Sequence, residues 1–297
     1  MKAAIDIGSN SLLLLVTDDA GAVVHDEAHV VGLGKGLGEK GLFRSDRMEA
    51  ALTVLRAYAA TAARLGVPAD RVRVVATSAS RRALNAGSFY ATVRAQSGLR
   101  VDVISGEEEA RLTWLGGLDA LELPKGPAML CDPGGGSTEL ILGEGETLQS
   151  RVSLEIGTVR LTEQFLGYGV VELAALSRLR AHVDAAIGAV ALPNVPRSAV
   201  AVAGTATTLA AMELGLDRYT PERVHGSTLT SAALRRWIDA LAQATPDQRR
   251  VLVAVSPERA DTLLAGAVIL LRVLEHARRH AWRVSDRGLR YGAIRSR

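Results

Sequence analysis

The stretch Met129-Leu130-Cys131-Asp132-Pro133-Gly134-Gly135-Gly136-Ser137-Thr138-Glu139-Leu140-Ile141-Leu142 decides how this chain is read. An apolar run, three consecutive glycines and a second apolar run spell strand, turn, strand. Glycines lack Cβ, so their N–H groups can converge on an anionic oxygen at close range. Asp132 and Glu139 flank the turn with carboxylates, and a phosphate-sized cradle with acids on both sides calls for a divalent cation between them. The plainer alternative is a β-hairpin with a loose turn, although such a turn needs only one or two residues of this kind.

The stretch has a counterpart near the N-terminus, Ala4-Ile5-Asp6-Ile7-Gly8-Ser9-Asn10-Ser11-Leu12-Leu13-Leu14-Leu15-Val16. Asp6-Ile7-Gly8 and Asp132-Pro133-Gly134 stand in the same register, 126 residues apart (132 − 6). A repeat of that length is a whole domain. Two similar domains, each with a phosphate-grasping hairpin, imply one cleft with the ligand between them.

A chain of 297 residues can build two domains of about 150 residues, each burying its own core. With 48% hydrophobic and 23% charged residues, the composition is that of an ordinary globular enzyme. Aromatic residues make up 4% and the net charge is +3, which argues against a nucleic-acid surface built on stacked bases. The single cysteine, Cys131, excludes an internal disulfide framework and a cysteine zinc site. Asp6 interrupts the first apolar run, so no signal peptide is evident. The longest apolar run, 262–271, is too short to span a bilayer. The cytoplasm is the expected compartment, with no membrane or nucleic-acid partner.

Along the chain, 32–38 (GLGKGLG) superficially matches a dinucleotide fingerprint but lacks the strand–turn–helix context, and it reads as a mobile loop with Lys35 as a candidate anion contact. A helix is expected over 45–65, stopped by Gly66 and Pro68. The strand 72–76 leads to Thr77-Ser78-Ala79-Ser80-Arg81-Arg82, an anion-friendly helix start or simply a cap with solvated charges. Strand 101–104 runs into a helix headed by Glu107, Glu108 and Glu109, where acids complement the helix dipole. The segment 124–127 (PKGP) marks the boundary between domains 1–123 and 124–297, with the closing helix packing back on the first. In the second domain a helix is expected over 171–192, a loop over 193–198 and a strand over 199–203. Gly204-Thr205 then offers a second phosphate cradle or a Thr-capped helix start. Helices follow over 227–244 and 256–280. His276 and His280, one turn apart on the latter, read as a solvated face and not a metal pair.

Five pieces together, Asp6-Ile7-Gly8-Ser9-Asn10-Ser11, Ser105-Gly106-Glu107-Glu108-Glu109-Ala110-Arg111, Asp132 to Glu139, Gly204-Thr205-Ala206-Thr207-Thr208 and Ser285-Asp286-Arg287-Gly288-Leu289-Arg290, occur in the order seen in one family. The chain resembles the exopolyphosphatase/guanosine pentaphosphate phosphohydrolase (Ppx/GppA) family of the actin-like ATPase superfamily, in its short two-domain form. The resemblance implies an α/β fold of two ribonuclease-H-like domains, with mixed sheets flanked by helices and an active-site cleft between them. It places the catalytic base on Glu109, the metal ligands on Asp132 and Glu139, and phosphate contacts on Asn10 and Arg81. With these go the cradle residues Gly8, Ser9, Ser11, Gly134, Gly135, Gly136, Ser137, Gly204 and Thr205. Mg²⁺ is the implied cofactor, with Mn²⁺ as the alternative, and a homodimer is the implied assembly.

Pro133 departs from the family pattern, which has an aliphatic residue there. Proline removes one N–H donor, either from the cradle or from the strand. The expected activity is hydrolysis of the terminal phosphoanhydride of inorganic polyphosphate. The alternatives are conversion of pppGpp to ppGpp, an ATP-dependent kinase, and a non-catalytic alarmone-binding protein.

Overall fold

The computed structural model describes residues 1–192 and 195–296, with all side chains among them except those at positions 39 and 40. The loop expected at 193–198 therefore falls partly outside the described residues. The chain divides into two compact units, Met1–Gly116 with Leu289–Arg297, and Gly117–Gly288.

The first unit holds a five-stranded mixed sheet. Strands β1 (Lys2–Ile7), β2 (Ser11–Thr17) and β3 (Val23–Val30) form an antiparallel meander, and β4 (Arg73–Ala76) and β5 (Val101–Val103) extend it in parallel, in the order β3-β2-β1-β4-β5. Side chains alternate across a strand, so each face collects its own apolar set. Ala3, Ile5 and Ile7 point to the face covered by the helices Ser45–Arg64 and Ala86–Ser97. Ala4, Leu15 and Val75 point the other way, where Leu112 of the helix Gly106–Gly117 and Leu289, Ala293 and Ile294 of the helix Leu289–Arg295 cover them. A Cβ on Gly292 would lie 2.0 Å from the Leu112 carbonyl oxygen, so these two helices touch backbone to backbone.

The second unit repeats the plan. Strands β6 (Ala128–Pro133), β7 (Thr138–Glu144) and β8 (Thr147–Leu154) form the meander, and β9 (Ser198–Ala201), β10 (Thr228–Thr230) and β11 (Ala281–Val284) complete the order β10-β11-β9-β6-β7-β8. β9 and β11 run parallel to β6, as β4 and β5 do to β1. Met129, Cys131, Ala199 and Ala201 face a core built by helices Leu173–Gly188, Ala203–Glu213, Ser231–Gln243 and Leu263–His276. Both sheets have the ribonuclease-H-like mixed arrangement, flanked by helices.

Several sequence expectations need correction. The 32–38 segment is a turn leading to a short helix, Leu37–Lys40, with Leu33 and Leu37 in the core. Gly204 and Thr205 lie inside the first turn of the helix Ala203–Glu213, which the chain enters through Ala203 at a left-handed φ of 65°. The segment 228–230 is a strand, since its alternation pairs it with β11. The last long helix runs only from Leu263 to His276, so His280 is not on it. His276 Nε2 lies 3.0 Å from the Val190 carbonyl oxygen, which makes that ring a structural contact.

Candidate active site

In the first unit, alternation along β1 puts Asp6 on the same face as Ala4, under the helices that carry Glu109 and Arg290. Asp6 is only half-buried as a whole residue, yet its Oδ1 is enclosed with no hydrogen-bond partner among the described residues. Burial, and secondly the negative charge of Glu109, push the Asp6 pKa up to about 7, while Arg290 pulls the other way. Arg290 is itself clamped by Asp26, 264 residues away, through Nε at 3.0 Å and Nη2 at 2.9 Å.

The three glutamates are separated by their partners. Ser105 Oγ accepts the Glu108 N–H at 3.1 Å and heads the helix. Glu108 is engaged by Arg111 at 2.8 and 2.9 Å and by Arg73 at 3.5 Å. Glu109 instead turns toward Asp6 and accepts from Arg81 Nη1 at 2.7 Å, with its side chain 12% exposed. The same Nη1 donates to the Ile104 carbonyl at 3.1 Å, which anchors the guanidinium beside the end of β5. Glu109 is thus the one of the three held by Arg81 and the more sheltered of the two paired glutamates, 12% exposed against 31% for Glu108.

The two glycine loops are built alike. A Cβ on Gly8 would stand 3.0 Å from the Ser11 carbonyl oxygen, and one on Gly134 would stand 3.0 Å from that of Ser137. In both loops the carbonyls are turned back and held. Ser9 O accepts from Gly34 N at 2.7 Å, and Asn10 O accepts from Val31 N at 2.9 Å and Gly32 N at 2.8 Å. In the second loop, Gly134 O accepts from Thr158 N at 2.8 Å and Gly135 O from Val159 N at 3.0 Å. Gly136 O accepts from Arg160 Nε at 2.9 Å. With the carbonyls facing inward, the N–H groups of Gly135, Gly136 and Ser137 have no backbone acceptor among the described residues, which is the arrangement of an anion cradle. The first glycines differ, because Gly8 N donates to Ser11 O at 3.0 Å and Gly134 N to Asp132 O at 3.1 Å. Their contribution is the tight turn.

Gly157 is the residue that sequence reading passed over. Its Cβ, if present, would stand 2.3 Å from the Gly136 carbonyl carbon and 2.4 Å from the Gly135 oxygen. Only a hydrogen fits where this segment braces the loop.

Asp132 and Glu139 are paired directly across β6 and β7 and therefore share one sheet face. The corresponding partner of Asp6 across β1 and β2 is Leu13, so the second acid belongs to the second unit alone. Glu139 is 7% exposed, and its Oε1 accepts from Ser137 Oγ at 2.8 Å and Ser153 Oγ at 2.9 Å. Two carboxylates side by side on one face repel, and oxygen donors of this kind suit Mg²⁺ or Mn²⁺, so the residues present fit a hard divalent cation. Among the described residues no three acidic, His or Cys side chains form a ready-made metal cluster. Any ion there would have to complete its coordination with hydroxyl, water or phosphate oxygens.

Thr205 packs against the bare face of Gly266, where a Cβ would lie 2.4 Å from Thr205 Cγ2 and 3.1 Å from Thr158 Cγ2. One glycine of the buried helix thus locks the start of the Ala203 helix to the brace of the loop. The Gly204 backbone lies under the Arg259 guanidinium, with Nη1 2.1 Å from where a Cβ would be. Pro133 is answered by alternation. The Cys131 carbonyl accepts from Val202 N at 3.0 Å, so the nitrogen two residues on faces the same way, toward the side of β9 and past its last residue. The missing donor falls at the strand end and not in the cradle.

The profile of the Ppx/GppA phosphatase family matches residues 15–297. The chain belongs to that family. It is 35% identical to exopolyphosphatase 2 of Mycobacterium tuberculosis, over 94% of this chain and 91% of that protein. The Ppx/GppA family member of Aquifex aeolicus superposes with a TM-score of 0.82 at 34% identity, covering 99% of this chain and 96% of that one. An exopolyphosphatase from Cytophaga hutchinsonii gives 0.87 at 25% identity, covering 98% and 95%. Family and fold expectations from sequence both hold. No helix among the described residues is long and apolar enough to cross a membrane.

Proposed function

We propose that this Ppx/GppA protein is an exopolyphosphatase, hydrolysing the terminal phosphoanhydride bond of inorganic polyphosphate and releasing orthophosphate. The observation that carries the reading is the Glu109 carboxylate, held by Arg81 at 2.7 Å near Asp6 with its enclosed Oδ1, in a member of a phosphatase family. The similarity to an exopolyphosphatase supports the choice of substrate.

Phosphoryl transfer asks the protein for positioning and charge neutralisation more than for covalent chemistry. Glu109 takes the proton of the attacking water as the new O–P bond forms, and the bridging P–O bond breaks with the shortened chain leaving as an oxyanion. The N–H groups of Gly135, Gly136 and Ser137, which have no backbone acceptor among the described residues, serve phosphate oxygens. Arg81 commits Nη1 to Glu109 and Ile104, and its other donors serve the adjoining phosphates. A Mg²⁺ or Mn²⁺ ion on the Asp132 and Glu139 face, when bound, supplies neutralisation of the charge on the transferring group.

The test is phosphate release from long polyphosphate, short polyphosphate, pppGpp and ATP with Mg²⁺, measured side by side. Turnover of polyphosphate is the expected result. Turnover of pppGpp alone would reassign the substrate, and transfer from ATP to an acceptor would reassign the reaction.

A further inference from the structure

The Ser137 hydroxyl has one proton, and the structure shows where it goes. Ser137 Oγ donates to Glu139 Oε1 at 2.8 Å, and both residues are buried, at 5% and 7% exposure. A hydroxyl that has given its proton away can no longer donate to a phosphate oxygen. What it presents outward is lone pairs, which attract a cation and repel an anion. Ser153 Oγ supplies a second hydrogen bond to the same Oε1 at 2.9 Å and holds that oxygen from the β8 side. Glu139 is therefore braced through the oxygen that orients Ser137.

We infer that the serine at the end of the glycine loop is a cation ligand, that Asp132 is the directly coordinating carboxylate beside it, and that Glu139 is a positioning residue that sets the Ser137 hydroxyl. This refines the proposed function and rests on it for the presence of a divalent ion. The loop then divides its work by atom type: backbone N–H groups of residues 135–137 take phosphate oxygens, and the Ser137 side-chain oxygen faces the metal. A hydroxyl following a glycine-rich phosphate cradle and turned toward Mg²⁺ is chemically apt, because Mg²⁺ and Mn²⁺ prefer hard oxygen donors and keep several waters. The first unit offers a built-in contrast, since Leu13 stands where Glu139 does and cannot orient Ser11 in this way.

The experiment uses the full chain without substrate. Mn²⁺ binding is measured by electron paramagnetic resonance and calorimetry for wild type, Ser137→Ala, Glu139→Leu, Ser153→Ala and Asp132→Asn, alongside orthophosphate binding and melting temperature. Outer-shell partners of metal ligands are typically worth 10–100-fold in affinity, so Glu139→Leu, which removes the acceptor, should weaken Mn²⁺ about 10-fold, as should Ser137→Ala. The double variant should be no weaker than either single one. Ser153→Ala should cost less than about 3-fold, and Asp132→Asn should abolish binding at the concentrations used. Orthophosphate affinity measured without metal should be unchanged in Ser137→Ala. Three results would overturn the inference: Ser137→Ala that weakens orthophosphate and leaves Mn²⁺ untouched, Glu139→Leu as damaging as Asp132→Asn, or no Mn²⁺ binding by wild type. A wild type that binds Mn²⁺ in this pattern yet releases no phosphate from polyphosphate would refute the substrate reading alone.

Discussion

Glu109 is one of three consecutive glutamates, and its singularity comes from its neighbours. Arg111 and Arg73 occupy Glu108, while Arg81 reaches Glu109 from another helix 28 residues away. Glu109→Gln keeps the shape and the Arg81 contact but cannot accept the water proton, so kcat should fall by roughly 10²–10⁴-fold with KM little changed. Steady-state phosphate release checks this, and full activity would remove Glu109 from the mechanism. Asp6 gives a prediction with a pH sign. Its pKa in the fold is about 7, against about 3.9 for an unfolded chain. Well below about pH 3.9 both states hold the proton and the fold carries no penalty. As pH rises toward 7 the unfolded state gains ionisation that the fold resists, so stability is lost and stays lost above 7. Asp6→Asn removes that penalty. In EDTA its melting temperature should exceed wild type at pH 8 by clearly more than at pH 4.5. Equal differences at both pH values would show that Asp6 ionises freely.

At the scale of elements, the hairpin, its brace and the buried helix behind them act together. The brace 157–160 pins the carbonyls of the glycine loop, and Gly266 seats Thr158 and Thr205 on one helix. Gly157 has an ordinary φ of −108°, so alanine there meets no backbone strain; the difficulty is the 2.3 Å approach to Gly136. Gly157→Ala must push the loop or the brace aside, an overpacking cost of about 1–3 kcal/mol. Urea unfolding should report that loss, and phosphate release should fall by more than stability explains. A variant as stable and active as wild type would show that the brace does not set the loop. The hairpins themselves were legible in sequence, because glycine runs and apolar alternation are local signals. The brace was not, because Gly157 acts on residues 21 and 22 positions earlier through space. The same reason hid the early start of the Ala203 helix and the strand Thr228–Thr230, which exists only by pairing with β11.

Each unit of the molecule closes its own core, and the first does so with a helix from the far end of the chain. Cys131 sits in the core of the second unit at 0% exposure, and burial, then the charges of Asp132 and Glu139, push its thiol well above the ordinary range. It should stay unreactive toward a thiol reagent in the native protein and react only as denaturant unfolds that unit. Modification at the native rate of a free thiol would contradict the packing described. Sequence alone determined the duplicated strand–glycine–strand plan and the family, because each is written in contiguous residues and in their order. Tertiary structure alone decided that Arg81 holds Glu109, that the Asp6 Oδ1 is enclosed, that the proline costs no cradle donor and that the Ser137 hydroxyl donates to Glu139. Those outcomes depend on which side chain faces which across a sheet or between helices, and alternation and packing set that only when the chain is folded.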